Sequence, residues 1–234
     1  MGRENMNSTK RAARIAGVLY LMASIPGAFG LIYVPSVLIV SGDAAATARN
    51  IAASETLFRA GILAHVIGQA CFIFVAFALY RLLKGVNQRL AVLMVTLIVV
   101  SIPISLVNEL NHVAVLRLAS ASGPAAALGK AQTEGLVDLF LRLYGSGILI
   151  AEIFWGLWLF PFGLLVIRSG FLPRVLGVLL LVAGVGWVVQ SCTSMLSPPL
   201  WNAIHGVVSV LKKGELLMIL WLLIVGAKDE PLEE

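Results

Sequence analysis

Apolar and polar positions in this chain segregate in long blocks rather than residue by residue. The charged side chains are bunched, and between them lie uncharged runs from Ile15 to Val40, Ala60 to Tyr80 and Leu90 to Asn108. At a helical rise of about 1.5 Å per residue, each run is long enough to cross a bilayer. The blocks predict helices at about 15–40, 60–84, 89–112, 138–168, 174–193 and 200–227. The uncharged part of the last, Leu216 to Ala227, is too short to span alone. That helix must therefore start near Pro199 and carry Lys212, Lys213 and Glu215 to the headgroup region, with a five-span chain as the alternative. The expected fold class is all-α, a polytopic transmembrane helix bundle of about six spans.

Local signals refine the pattern. Pro26 followed by Gly27 predicts a kink in the first span, because proline removes one backbone donor and clashes with the preceding turn. Asp43 is placed to cap a short helix over Ala44 to Ala53, and Thr133 to cap one running from Glu134 into span four. Asp138 and Arg142 make an i,i+4 pair there. Segments 43–58, 120–137 and 195–211 read as interfacial. A basic N-terminus, 1–14, and an acidic tail, 228–234, flank a single helical domain over 15–227. Arg3, Lys10, Arg11 and Arg14 ahead of an apolar stretch resemble a signal peptide, but the stretch is too long for one and reads as a retained first helix.

Composition excludes a water-soluble fold. Of 234 residues, 59% are hydrophobic and 12% charged, about half the charged share of an ordinary soluble domain. The net charge of +5 comes from scattered basic residues without interleaved aromatics, which argues against a nucleic-acid partner. Arg81, Lys84 and Arg89 flank the turn between spans two and three, and Arg168 and Arg174 the turn between four and five. With the basic N-terminus they mark the cytoplasmic side, so six spans place both termini inside. Arg49, Arg59, Arg117 and Lys130 on the opposite side are mixed with Asp43, Glu55 and Glu134. Cys71 and Cys192 differ in depth by roughly 15 Å, too far for a disulfide.

Small residues at helical spacing mark the faces where membrane helices meet. In span four, Gly145, Glu152, Gly156 and Gly163 share one stripe, which turns Glu152 into the bundle. In span two, Ala60, Ala64 and Gly68 form a ridge beside His65 and Gln69. Span three carries Ser101, Ser105, Asn108, Glu109 and His112 on one face. These positions converge toward the outward half of the bundle. The candidate ligand-lining residues are therefore Glu152, Glu109, His65, Gln69, Asn108, His112, Glu215 and Arg59, because an ionisable group inside a membrane must find a partner or a wet cavity. The plainer reading is structural: Glu152 pairs with Lys212, Lys213 or Arg59 and locks helix four to its neighbours.

Three histidines, His65, His112 and His205, raise a zinc or haem reading, but no HExxH, HxxxH or CxxC spacing supports it and no metal site is expected. Cys71 lies six residues from His65 on a different face, so it reads as packing. Ser101 and Ser105 read as backbone-bonding hydroxyls near Pro103. No glycine-rich phosphate loop occurs. The residues name no catalytic group and no cofactor.

Several stretches resemble the bacterial membrane proteins of domain-of-unknown-function family 4386. They are Arg14, Gly17, Tyr20 and Leu21; Gly42, Asp43, Thr47, Ala48, Asn50 and Ile51; Phe58 with Arg59; Phe154-Trp155-Gly156-Leu157-Trp158-Leu159 through Pro161 and Gly163 to Ser169-Gly170-Phe171-Leu172-Pro173-Arg174; and Gly214-Glu215 with Leu220-Trp221-Leu222-Leu223. The resemblance implies a multi-pass protein of the bacterial plasma membrane and supports the sixth span. It carries no reaction, cofactor or partner, and the histidines are not among its positions. Three functions fit the residues: a protein binding or transporting a small ligand or ion in an outward polar chamber, a metal-dependent intramembrane hydrolase, and a structural or accessory subunit. The lipid bilayer is the one partner all three require.

Overall fold

The computed structural model describes residues 2–120 and 127–227, and every element among them is helical. The order is α1 (Gly2–Ala28), a π-helical stretch (Phe29–Tyr33), α2 (Val34–Leu38), α3 (Ala44–Ala53), α4 (Glu55–Leu83), α5 (Gln88–Ala119), α6 (Lys130–Leu157), α7 (Leu159–Arg168), α8 (Arg174–Leu196), α9 (Pro198–Leu211) and α10 (Gly214–Ile224). Five stretches are long and apolar enough to cross a membrane: Thr9–Leu38, Glu55–Leu83, Gln88–Ala119, Lys130–Arg168 and Arg174–Leu196. Large apolar side chains stand exposed along them, among them Ile25, Leu63, Phe74, Val107 and Val175. Such outward apolar faces suit lipid and not water. The chain is thus an all-α membrane protein, as its sequence leads one to expect.

The last predicted helix differs from expectation, being two pieces of 14 and 11 residues separated at Lys212 and Lys213. Neither alone reaches the roughly 20 residues of a span. The backbone tightens there into i→i+3 bonds, Lys213 N–H to Val210 carbonyl at 3.1 Å and Leu216 N–H to Lys213 carbonyl at 3.1 Å. In the first span, Pro26 stays inside α1, and the helix widens just beyond it into the π-helical stretch.

Chain contacts divide the molecule into two compact units. One comprises residues 1–22, 71–102 and 149–234; the other comprises 23–70 and 103–148. In the second unit, α3 is capped as expected, with Asp43 Oδ1 accepting from Ala46 N–H at 2.7 Å. Its core gathers Val34, Leu38, Ile51, Phe58, Val115, Leu116 and Val137. The ridge on α4 is shifted from the one expected. Ala60 is exposed, and Gly61, His65 and Gly68 are the buried positions. A Cβ on Gly30 would lie 2.5 Å from the Gly61 carbonyl oxygen, and one on Gly68 would lie 3.0 Å from the Gly27 nitrogen. Glycine wins over alanine because only it lets two backbones touch. Thr133 is not the cap of α6, which begins earlier, at Lys130. Gln132 Oε1 accepts from Gly129 N–H at 3.2 Å, and the Thr133 hydroxyl donates back to the Gly129 carbonyl at 3.3 Å. Asp138 and Arg142 pair at 2.7 Å as predicted.

In the first unit, α6 and α7 meet α8 backbone to backbone. A Cβ on Gly156 would fall 2.7 Å from the Gly184 oxygen, and one on Gly163 would fall 2.7 Å from the Gly177 oxygen. The seven-residue step on both sides is two helical turns, so four glycines seat one antiparallel contact. Gly145, the remaining member of the predicted stripe, is exposed with open space beside it. The turn into α8 uses Gly170 at φ 72°, a conformation glycine adopts without strain. Ser169 closes it, donating to the Val166 carbonyl at 2.9 Å and accepting from Leu172 N–H at 3.2 Å. Both cysteines are free.

Candidate functional site

Among the described residues, the buried histidines and glutamates fall into two clusters, one in each unit. In the second unit α5 carries Asn108, Glu109 and His112 on its buried face, α4 brings His65 and Gln69, and α6 brings Tyr144. Glu109 is 4% exposed, His65 2% and His112 5%. Three donors converge on the one carboxylate. His65 Nδ1 bonds Oε1, His112 Nδ1 lies 3.0 Å from Oε2, and the Tyr144 hydroxyl donates to Oε1 at 2.9 Å. Gln69 Nε2 donates to His65 Nε2 at 3.1 Å, which places the proton of that ring on Nδ1. The Asn108 amide donates to the Tyr144 carbonyl at 2.8 Å and ties α5 to α6.

His112 is held on both sides. Its ring stacks on Tyr144 with centroids 3.5 Å apart, and Phe58 meets it edge-on at 5.1 Å. Its Nδ1 is committed to Glu109, while its buried Nε2 has no hydrogen-bond partner. Among the described residues no lysine or arginine pairs with Glu109, whose ionic neighbours are the two histidines.

The other cluster lies in the first unit, around the break between α9 and α10. Gln190 Nε2 on α8 donates to both oxygens of Glu152, at 2.9 and 2.7 Å. Lys212 Nζ donates to Gln190 Oε1 and sits 3.9 Å from the centre of the Trp187 ring. Trp187 Nε1 donates to Glu215 at 3.4 Å, and the Tyr20 hydroxyl donates to the same carboxylate. Tyr20 also tilts against Trp158, which stacks on Phe162. Of the three partners expected for Glu152, Lys212, Lys213 and Arg59, Lys212 is linked to it through Gln190 rather than by a direct ion pair.

The predicted site residues are thus sorted. His65, Gln69, Asn108, Glu109 and His112 come together in one cluster, and Glu152 and Glu215 belong to the other. Arg59 joins neither; it is exposed and pairs with Glu55 at 2.7 Å. His205 lies in the first unit, its ring centre 6.0 Å from that of Trp201 in an edge-on arrangement. Tyr144, Tyr20 and Trp187 were not foreseen as site residues, because an aromatic ring in a membrane helix carries no mark separating an interface anchor from a hydrogen-bonding partner.

A family model described as a domain of unknown function, DUF4386, matches residues 15–226. The chain belongs to the DUF4386 family. Comparison with curated proteins and with solved structures finds no match to either. The DUF4386 chain brings many of the positions that carried the resemblance into its first unit. Gly17 lies against the backbone of Leu222 and Leu223, and Gly214 against the Leu179 carbonyl. Tyr20 and Glu215 join in one hydrogen bond.

The two clusters of this DUF4386 protein differ in what they leave open. In the Glu152 cluster, Gln190 supplies a donor to Glu152 and an acceptor to Lys212 at once. Gln190→Leu keeps the volume and removes both bonds, leaving a buried carboxylate and a half-buried ammonium unbridged. The variant is expected to lose on the order of 3 kcal/mol of stability, read by thermal unfolding in detergent. An unchanged midpoint would show that Gln190 is not the bridge. In the Glu109 cluster the fully buried atom left without a partner is His112 Nε2, and among the described residues no group of three or more His, Cys, Asp or Glu could hold a metal.

Proposed function

We propose that this is a six-span protein of the bacterial plasma membrane, both termini cytoplasmic, that binds or carries a small hydrogen-bond-donating cation at the Glu109 cluster. The carrying observation is the buried His112 Nε2 without a partner. With Nδ1 given to Glu109, that nitrogen presents a lone pair, and a buried acceptor left empty costs about 1–3 kcal/mol. The Glu109 carboxylate adds a buried charge with no lysine or arginine beside it among the described residues. One cation that donates to Nε2, such as ammonium, satisfies both at once. Buried ionisable groups that lack a fixed counter-charge mark ion pathways in membrane proteins. The sixth crossing is assigned to α9 and α10 together, whose exposed Val207, Val210, Leu216 and Ile224 suit lipid. The bacterial membrane follows from the family resemblance, and the orientation from Arg81, Lys84, Arg89, Arg168 and Arg174.

The zinc hydrolase reading has less support. A metal needs imidazole lone pairs, and His65 Nε2 already accepts from Gln69.

The proposal is tested with purified protein in detergent, heated in ammonium, methylammonium or sodium chloride at equal ionic strength. Wild type is expected to unfold at a higher temperature in ammonium or methylammonium than in sodium; a hundredfold excess over Kd adds about 2.7 kcal/mol. His112→Phe keeps the stacking on Tyr144 and is expected to abolish the gain. A response that survives in His112→Phe, or none in wild type, sinks the reading.

A further inference from the structure

Outside both clusters, one groove of about 390 Å³ runs along α1, lined by Lys10, Arg11, Arg14, Ile15, Val18 and Leu19. These six positions are consecutive pairs at helical spacing, so they form one stripe. The stripe is polarised along its length. Its first half is cationic, and its second half is apolar and outward-facing, with Ile15 49% and Val18 45% exposed. From Lys10 to Leu19 the helix rises about 13 Å, the depth from a phosphate to the upper part of an acyl chain. Arg14 is anchored at the cationic end. One guanidinium nitrogen of Arg14 donates to the Ile224 carbonyl at 3.3 Å, and the backbone at Gly226 lies against Lys10 and Arg14.

We infer that this groove is a binding site for one anionic phospholipid, its phosphate held by Arg11 with Arg14 and Lys10 and its acyl chain laid along Ile15, Val18 and Leu19. Charge complementarity selects the anionic headgroup. The apolar continuation selects a lipid over a free phosphate, which has nothing to place there. Guanidinium groups suit a phosphate because they present paired donors. The site is independent of the Glu109 cluster, and its failure would leave the proposed function untouched.

The test is native mass spectrometry of the full chain in detergent with equimolar phosphatidylglycerol and phosphatidylcholine. Wild type is expected to retain phosphatidylglycerol selectively. Arg11→Gln should weaken that preference about fivefold, and the Lys10→Gln, Arg11→Gln double variant more. Val18→Trp fills the apolar half and should lose the lipid while leaving any binding of inorganic phosphate intact. Arg168→Gln, a basic position elsewhere, should behave as wild type. Equal retention of both lipids, or a preference unchanged in the double variant, overturns the site. So does a preference that appears only when residues 228–234 are deleted, since the intact chain would then fill the groove itself. Each variant is first required to match wild type in elution and unfolding midpoint.

Discussion

Glu109→Ala is expected to destabilise the protein by about 3–5 kcal/mol, because it strips the acceptor from three buried donors at once. His65 Nδ1, His112 Nδ1 and the Tyr144 hydroxyl all end on that one carboxylate. Neutral side-chain bonds between membrane helices average only about 0.6 kcal/mol, so a loss of that size would mean that the carboxylate is one ordinary bond among many. The larger figure follows from the charge of the acceptor and from the absence of water to replace it. Glu109→Gln keeps one acceptor oxygen and turns an N–H toward another donor, so it should recover only part of the loss. The measurement is unfolding in mixed micelles, with His65→Phe combined with each variant. If the carboxylate unites the cluster, the effects will be far from additive, since with Glu109 gone His65→Phe removes only the bond from Gln69. Additive losses would dissolve the cluster into separate contacts.

The second large effect concerns the glycine contact in the first unit. Gly156→Val places Cβ 2.7 Å from the Gly184 carbonyl oxygen and 2.9 Å from Trp187 Cβ. The first neighbour is backbone and cannot swing aside, so α6 must separate from α8. Overpacking of this kind costs about 1–3 kcal/mol, and a backbone clash belongs at the upper end or beyond. Because Trp187 and Gln190 sit on the same helix as Gly184, separation should also loosen Glu152, and the variant should lose more than a simple clash. Gly145→Ala is the control. Nothing lies within 4 Å of its Cβ position, so it should be neutral or add up to about 1 kcal/mol through helix propensity. Equal losses at both positions would mean that the stripe is not a packing face.

Much of the fold was legible because lipid imposes a simple rule. A chain crossing hydrocarbon must bond its backbone within each helix and cover it with apolar side chains, so the first five spans could be read from charge spacing alone. The face of α5 was equally plain: Ser101, Ser105, Asn108, Glu109 and His112 are all buried, as their helical spacing demands. The cap at Asp43 and the pair of Asp138 with Arg142 are local events within one or two turns, and they formed as predicted. Legibility failed wherever two helices had to be compared. Alanine and glycine look alike as small residues, yet only direct backbone contact separates them, and it favoured Gly61 over Ala60 and left Gly145 empty.

The candidate site follows the same division. That Glu109, His112 and His65 face protein rather than lipid is a property of each helix and its polar positions. That His65 and His112 share the two oxygens of one carboxylate, and that Tyr144 completes it, depends on the rotation and depth of three helices, which no single segment encodes. Gln190 linking Glu152 to Lys212 is likewise a matter of how α8 and α9 sit together. Taken alone, the order of residues determined the solvent, the helices and their buried faces, because those arise from short-range periodicity and the cost of exposing a backbone to hydrocarbon. Tertiary structure alone decided which buried groups met and which nitrogen was left without a partner, because hydrogen bonds reach only about 3 Å and the register between helices is set by the packing of all of them.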